Sequence, residues 1–501
     1  MAIPTLAQLG RQFTEWRPLQ KETVEWALKC SSPLAIVEGP TGCGKSLIGM
    51  AWSFSTDDKV VYLCSTRNLQ SQLAEDFSHI GGVSLLWGRN NYPCLKDKEL
   101  TAEDCDRQEN ECELMGDCPY LVAKRRALAS RVAILNYSYF LHEANYVGGF
   151  ADRAMVLDEF DLLETELLKF VKVEIVDKIR DKFDLGQASQ VSKWESWKDW
   201  SLQAAAAVAK EAKKLRAKGI STNTQLRRVL NMEKIIKRLG FLSSNIDSNW
   251  VWERNETKWV FQPTWVRPYA KTSFWQLGTK FLGMSATILD PKTLCRNVDA
   301  PHYAYISLPS PFPKERRPIE YWPIADMGRR TENSDWNHLV EAMTEIMEKH
   351  NNEKGLVHCV SHNRAKRLEN DIPSNRWLRT EPGMLAAAVE ELKASKEPRI
   401  LLSPSAERGL DLPDDDCRWT VLIKVPFPDL DNKQVKRRLY GSSDGEEWYA
   451  WETAKRIVQA SGRGMRHPLD SNHAYILDKQ FDRLATQWEH LFPTWFKESF
   501  V

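Results

Sequence analysis

Eight consecutive residues, Gly39-Pro40-Thr41-Gly42-Cys43-Gly44-Lys45-Ser46, have the spacing GxxxxGK[ST]. Glycines so placed let backbone N–H groups curl around phosphate oxygens, and a helix starting at the lysine adds the positive end of its dipole. Lys45 would reach the β- and γ-phosphates of a nucleoside triphosphate, and the Ser46 hydroxyl would join a Mg²⁺ shell. The motif follows the strand-like run LAIVE and precedes an apolar helix start, the context it requires. A second constellation is Asp158-Glu159, directly after Ala-Met-Val-Leu. Asp158 suits a Mg²⁺ ligand acting through water, and Glu159 suits the base that orients and deprotonates an attacking water. A third is Gln459-Ala-Ser-Gly-Arg463-Gly-Met-Arg466, whose cations could meet charge developing on a γ-phosphate.

Four of the ten cysteines, Cys94, Cys105, Cys112 and Cys118, fall within one acidic stretch. Their spacing is C-x10-C-x6-C-x5-C, without the C-x2-C pairs of zinc ribbons. Clustered thiols in a reducing compartment point to a metal rather than disulfides. Four thiolates suit a [4Fe–4S] cluster, though ligand count alone also permits zinc.

These residues need a scaffold that aligns strand ends. Short apolar runs recur at 34–39, 60–65, 132–136, 154–160, 281–285, 355–360, 399–403, 420–424 and 474–478, with helical stretches between them. Near-continuous apolar strands alternating with helices predict parallel sheets covered on both faces. The runs form one group before residue 286 and another after 354, so two α/β domains are expected. Residues 94–118 carry nine Asp/Glu against three Lys/Arg. Within 201–240 the balance is ten Lys/Arg against two Asp/Glu, in a sequence that favours helix. The overall balance, 69 Lys+Arg against 68 Asp+Glu over 501 residues, therefore averages two oppositely charged insertions. No run approaches the ~18 apolar residues of a membrane span, and MAIPTLAQLG lacks the charged start and apolar core of a signal peptide. A cytoplasmic or nucleoid-associated protein is expected.

With these motifs in place, the chain resembles the superfamily 2 helicases of the XPD/DinG type, which carry an iron–sulfur cluster. The resemblance rests on RPLQ (17–20), GPTGCGKS (39–46), YLCSTRNLQSQL (62–73), GRNNYPC (88–94), CPYLVAKRRAL (118–128) and LDEFD (157–161). It continues through GMSATI (283–288), SPFP (310–313), GLVHCVSH (355–362), AERGLDLP (406–413) and QASGRGMR (459–466). It implies a DNA helicase that moves 5′→3′ on single strands with ATP and Mg²⁺. Two RecA-like P-loop domains with parallel sheets would flank the nucleotide. Motor domain 1 would comprise 1–93, 119–169 and 276–310, with an iron–sulfur loop at 94–118 and a helical arch-like insertion at 170–275; motor domain 2 would be 311–501.

The resemblance further assigns Gln20 to the adenine side of the ATP site. It gives ATP roles to Lys45, Ser46, Asp158, Glu159, Gln459, Arg463 and Arg466, and matches Asp411 to the family's fifth motif. Thr66 and Arg67 would contact the DNA backbone, and Ser285 and Thr287 would couple the ATP and DNA sites. Cys94, Cys105, Cys112 and Cys118 would hold a [4Fe–4S] cluster in preference to zinc. Two departures stand out: Asp161 replaces the family's coupling His, and Arg408 precedes Gly409 in the fifth motif. Lys124 and Arg125 beside the cysteines, and Lys213, Lys214, Arg227 and Arg228 in the basic run, are further candidates for phosphate contacts. Eight of the 20 tryptophans lie in 194–275. Most are expected in the core, since Trp194, Trp197 and Trp200 share a helical face. The expected partners are single-stranded and forked DNA or an RNA:DNA hybrid, for a monomeric motor without a membrane role. Two alternatives use the same residues: a translocase that remodels protein–DNA complexes or R-loops without unwinding, and an ATP-switched DNA-binding subunit.

Overall fold

The computed structural model describes residues 3–10, 14–77, 79–105, 112–328, 331–404, 412–462 and 470–501. The first five strands are β1 (Leu34–Glu38), β2 (Val60–Cys64), β3 (Val83–Leu85), β4 (Val132–Asn136) and β5 (Arg153–Asp158). Then come β6 (Val173–Val176), β7 (Trp250–Arg254), β8 (Lys258–Pro263), β9 (Gly278–Ser285) and β10 (Tyr303–Ser307). The last six are β11 (Ile319–Ala325), β12 (Gly355–His358), β13 (Trp377–Arg379), β14 (Ile400–Ser403), β15 (Trp419–Leu422) and β16 (His473–Asp478).

Two sheets organise the molecule, as the apolar runs predict. The first has seven strands in the order β10-β1-β9-β5-β2-β4-β3, the second six in the order β11-β16-β15-β12-β14-β13. Every pairing in both is parallel. Their central strands, such as LAIVE and VVYLC, are buried at every position. These are the two RecA-like halves. The chain passes from one to the other between Ser307 and Ile319.

The register decides what can meet. Glu38 at the end of β1 pairs with Ser285 at the end of β9, and Asp158 at the end of β5 pairs with Met284. The carboxyl ends of three neighbouring strands are thus level, and the loops leaving them share one edge. Ligands of open parallel sheets bind at this edge.

The segment 170–275, expected to be helical, also holds a three-stranded antiparallel sheet, β6-β8-β7. Its aromatic and β-branched residues explain the departure: VEIV alternates in burial as a one-sided strand does, and WVWER and KWVFQP each bury a short apolar run. This sheet packs beside the long helices Trp194–Ala217 and Asn223–Asn245 around Trp197, Trp200, Trp250, Trp259 and Phe261. Trp197 sits 4.7 Å from Trp259 and 4.9 Å from Phe261, ring centre to ring centre.

The two halves share a core. Helix Gly445–Ser461 lies in the second half by sequence, yet Trp448, Trp451, Ile457 and Val458 belong to the same apolar cluster as Leu163, Phe274 and Ile288. Nearby, Arg438 is 2% exposed and forms an ion pair of 2.7 Å with Glu164. Its guanidinium lies over both Trp265 and Trp448, at 4.4 and 4.7 Å from the ring centres. Among the described residues no helix is long and apolar enough to cross a membrane.

A Cβ added at Gly355, in the centre of the second sheet, would come within 2.2 Å of the Trp419 ring, whereas one added at Gly81 meets nothing within 4 Å. Gly355→Ala should therefore lower thermal stability by the ~1–3 kcal/mol typical of an overpacked core, and Gly81→Ala should not. Calorimetric unfolding of the two variants tests this; equal midpoints would contradict the packing described.

Candidate functional site

A cleft of ≈ 450 Å³ opens where the loop after β1 faces helix Gly445–Ser461 of the other half. The loop Pro40–Ser46 forms its floor. Gly44 takes a left-handed φ of 78°, and a Cβ there would collide with Gln20 Nε2 at 2.1 Å, so only glycine fits. Helix Lys45–Ser55 starts at this point, with its amino end towards the cleft. Lys45 Nζ donates to the Gly39 and Pro40 carbonyls at 2.7 and 3.3 Å. These are weak partners for an ammonium, and a phosphate would compete with them well.

Beneath the loop, Glu38 is 1% exposed. Its carboxylate accepts from Tyr305 Oη at 2.6 Å, Ser307 Oγ at 3.1 Å and the Leu289 N–H at 2.7 Å. Burial pushes its carboxyl up, and these hydrogen bonds oppose the push. The residue thereby ties β10 and the turn after β9 to the root of the loop.

Asp158 and Glu159 both line the cleft. Burial, together with the neighbouring Glu159, pushes the Asp158 carboxyl up to about 7, while Lys45 pulls it down. Glu159 has a left-handed φ of 52°, a strained backbone of the kind found at functional sites. Its carboxylate accepts a short hydrogen bond from Ser65, the residue immediately before Thr66.

Four further side chains meet across the cleft. Ser285 Oγ donates to Asp161 Oδ1 at 2.6 Å, and the Thr287 N–H donates to Ser285 Oγ at 3.1 Å. From the other half, Gln459 Nε2 donates to Thr287 Oγ1 at 2.9 Å and to Asp161 Oδ2 at 3.4 Å. The sequence reading singled out all four residues, and here they form one hydrogen-bonded set. Asp161 accepts from both halves, as a neutral histidine offering one acceptor nitrogen would not.

Other expectations need correction. Gln20 is 2% exposed and does not line the cleft: its amide accepts from the Arg17 N–H and donates to the Cys43 carbonyl at 2.9 Å. It braces the loop. Arg17 lines the cleft instead and donates to the Gly42 carbonyl. Lys124 is not available to phosphate, because it is mostly buried in a 2.6 Å ion pair with Glu143. Arg125 donates to the Gly116 carbonyl of the cysteine loop at 2.7 Å. Thr66 caps helix Arg67–Phe77 by accepting from the Leu69 N–H, and Arg67 stands exposed over the Trp87 ring. Asp411, Arg463 and Arg466 lie outside the described residues.

Cys94, Cys105, Cys112 and Cys118 are all free thiols and line one cavity of ≈ 100 Å³. Arg89 holds its rim by donating to the Ala102 and Cys105 carbonyls at 2.9 and 3.1 Å. Cys118 stands at the start of helix Pro119–Ala129, where Pro119 fits the first position. Among the described residues no three His, Cys, Asp or Glu side chains converge closely enough to hold one metal ion.

The acidic loop does not project alone. Asp104 pairs with Arg227 at 3.2 Å, Glu103 pairs with Lys234, and Asp97 accepts from Asn223 at 2.6 Å. Arg227 also donates to the Glu99 carbonyl. Part of the basic run is thus spent on the cysteine loop. Lys214 has a loose 3.7 Å partner in Glu211, while Lys213 and Arg228 are exposed.

Comparison with known proteins adds to this geometry. A DEAD/DEAH box helicase model matches residues 17–191, and a helicase C-terminal domain model matches 341–499. The chain is 24% identical over 166 residues to a regulator of telomere elongation helicase 1 homolog of Caenorhabditis briggsae, covering 27% of this chain and 16% of that protein. It is 28% identical over 103 residues to a Fanconi anemia group J protein homolog of Gallus gallus, covering 18% and 8%. The matches thus span less than a fifth of these relatives. A solved XPD helicase superposes with a TM-score of 0.68 at 15% identity, over 96% of this chain and 99% of that one. The S. tokodaii Xpd4 structure gives 0.59 at 16%, over 94% and 98%. These likenesses show a shared fold.

The contacts between the cysteine loop and helix Asn223–Asn245 are exposed ion pairs, individually weak and screened by salt. Arg227→Glu should speed hydrogen exchange of the amides of 97–104, and raising salt to about 1 M should do the same in the unaltered protein. Exchange unchanged in both cases would show that the loop is held by other means.

Proposed function

Since the chain belongs to the superfamily 2 helicases of the XPD/DinG type, we propose that it hydrolyses ATP to move 5′→3′ along single-stranded DNA, separating a duplex or a DNA:RNA hybrid ahead of it. The observation that carries this reading is the hydrogen-bonded set Asp161, Ser285, Thr287 and Gln459. It joins the two halves beside the phosphate loop, so a change at the terminal phosphate alters how the halves sit together. A motor needs that coupling.

In this reading Lys45 leaves the Gly39 and Pro40 carbonyls for the β- and γ-phosphates. Ser46 and Asp158 line the same floor and offer a hydroxyl and a carboxylate, a donor set that fits Mg²⁺. When bound, the ion neutralises phosphate charge. Glu159 accepts the proton of the attacking water, its carboxylate aimed by Ser65. Arg463 and Arg466 follow Gln459 closely in sequence and meet the charge that develops on the γ-phosphoryl group as it passes from ADP to water. Ser65, Thr66 and Arg67 are consecutive: the first holds the base, and the next two stand exposed where a DNA backbone would bind. Strand binding there can therefore be felt at Glu159. Lys213 and Arg228 offer further phosphate contacts.

The four cysteines fit a [4Fe–4S] cluster better than zinc. Their C-x10-C-x6-C-x5-C spacing lacks the C-x2-C pairs of structural zinc ribbons, and the four thiols line one cavity, a donor set that suits the cluster. Bound there, a cluster would cross-link a loop otherwise held by turns and surface ion pairs. Protein purified without oxygen should be brown, with about four irons per chain; colourless protein with stoichiometric zinc would overturn the assignment.

ATPase and strand-displacement assays on 5′-tailed, 3′-tailed and blunt duplexes test the motor. Displacement is expected from the 5′-tailed substrate, with ATPase stimulated by single strands. Lys45→Ala should lower both rates by at least about two orders of magnitude. Displacement surviving in Lys45→Ala would sink the motor reading, and a preference for 3′-tailed substrates would reverse its polarity.

A further inference from the structure

The two sides of the phosphate loop differ in chemistry. Strand β1 has β9 and then β5 on one side and β10 on the other. The first side delivers Ser285, Asp158 and Glu159. A terminal phosphate under attack must face those carboxylates, so the rest of the nucleotide must extend towards the side of β10. There the chain runs from Leu308, whose N–H donates to the Glu38 carbonyl at 2.8 Å, through Ser310 and Phe312 along the wall of the cleft.

That wall is completed by the last turn of the chain. Trp495, Phe496 and Ser499 line the same cleft. Arg317, 9% exposed, holds them in place: its Nε donates to the Phe312 carbonyl at 3.1 Å, and its Nη atoms donate to the Trp495 carbonyl, Ser499 Oγ and Glu498. The Phe500 backbone bridges to Ile319, extending the second sheet at its edge. The Trp495 indole Nε1 is shielded from solvent and has no hydrogen-bond partner among the described residues. Gln20, the residue expected beside the base, has turned its amide to the loop backbone.

We propose that Trp495, the half-buried aromatic side chain of the segment Trp495–Ser499 clamped by Arg317, forms the nucleobase subsite of the cleft. The ligand is a nucleoside triphosphate whose flat base packs against the Trp495 ring. Recognition by an aromatic face selects for the presence of a base more than for its identity. Arg317 is a positioning residue here, acting through Trp495 and Ser499. The proposal rests on reading the cleft as an ATP site.

The test compares ATP with inorganic tripolyphosphate, which keeps the phosphates and lacks the base. Trp495→Leu retains apolar volume but removes the aromatic face, and Trp495→Phe retains an aromatic face of smaller area. Loss of a stacked base costs ~1–3 kcal/mol, so Trp495→Leu should raise KM for ATP by roughly five- to 150-fold. Trp495→Phe should raise it by clearly less than Trp495→Leu does, and GTP should follow ATP in both. Inhibition of ATP hydrolysis by tripolyphosphate should keep its constant in every variant. Equal losses for ATP and tripolyphosphate, or a Trp495→Leu variant with unaltered KM for ATP, would overturn the subsite. Failure of the unaltered protein to bind ATP would instead defeat the ATP reading itself, so the two failures are distinct.

Discussion

The cleft depends on a carboxylate that does not line it. Glu38 sits under the phosphate loop, almost wholly shielded from water, where an unpaired charge would be untenable. Three donors from β10 and from the turn after β9 make it tolerable. That arrangement sets the spacing of the strand ends that carry Gly39, Ser285 and Ser307. On one flank this fixes where the carboxylates stand, and on the other it fixes where the aromatic wall begins. Removing Glu38 would leave buried donors without an acceptor at the root of the loop, and such losses are costly.

The second organising constraint is electrostatic, and the composition hides it. A near-neutral total conceals a basic helix pair and an acidic cysteine loop. The sequence invites the view that the basic run faces phosphate. The structure sets part of it against Asp104, Glu103 and Asp97 instead. Arg227 and Lys234 hold a neighbouring insertion in place, which leaves Lys213 and Arg228 as the more exposed cations. Charge counted along a chain cannot separate a ligand-binding face from an internal latch, because each needs the same residues.

Legibility from sequence followed burial. The nine apolar runs correspond to β1, β2, β4, β5, β9, β12, β14, β15 and β16, the interior strands of the two parallel sheets. The four strands that escaped, β3, β10, β11 and β13, are their edges, only partly buried and so without a continuous apolar run. The antiparallel strands of the insertion escaped for a related reason: they are four to six residues long, and only VEIV alternates in burial. Residues at the phosphate loop and strand ends were legible because their chemistry dictates both type and spacing. Ser65, Arg17 and Trp495 were not, because each acts through long-range placement that no local pattern records. Gln20 shows the converse: a motif residue identified correctly in sequence whose side chain serves the loop rather than the cleft.

The Arg438 joint has a further consequence. Its guanidinium lies over Trp265 from the first half and Trp448 from the second, and its charge is met by Glu164, just beyond Asp158 and Glu159 in the chain. Helix Gly445–Ser461 buries its aromatic face in the first half's core. Sequence and burial therefore divide the molecule at different places. A nick in the crossing between Ser307 and Ile319 would not release two independent domains, because each piece would carry part of the other's interior. Either half exchanged for that of a distant relative would bring an unmatched face to a buried, charged and aromatic seam.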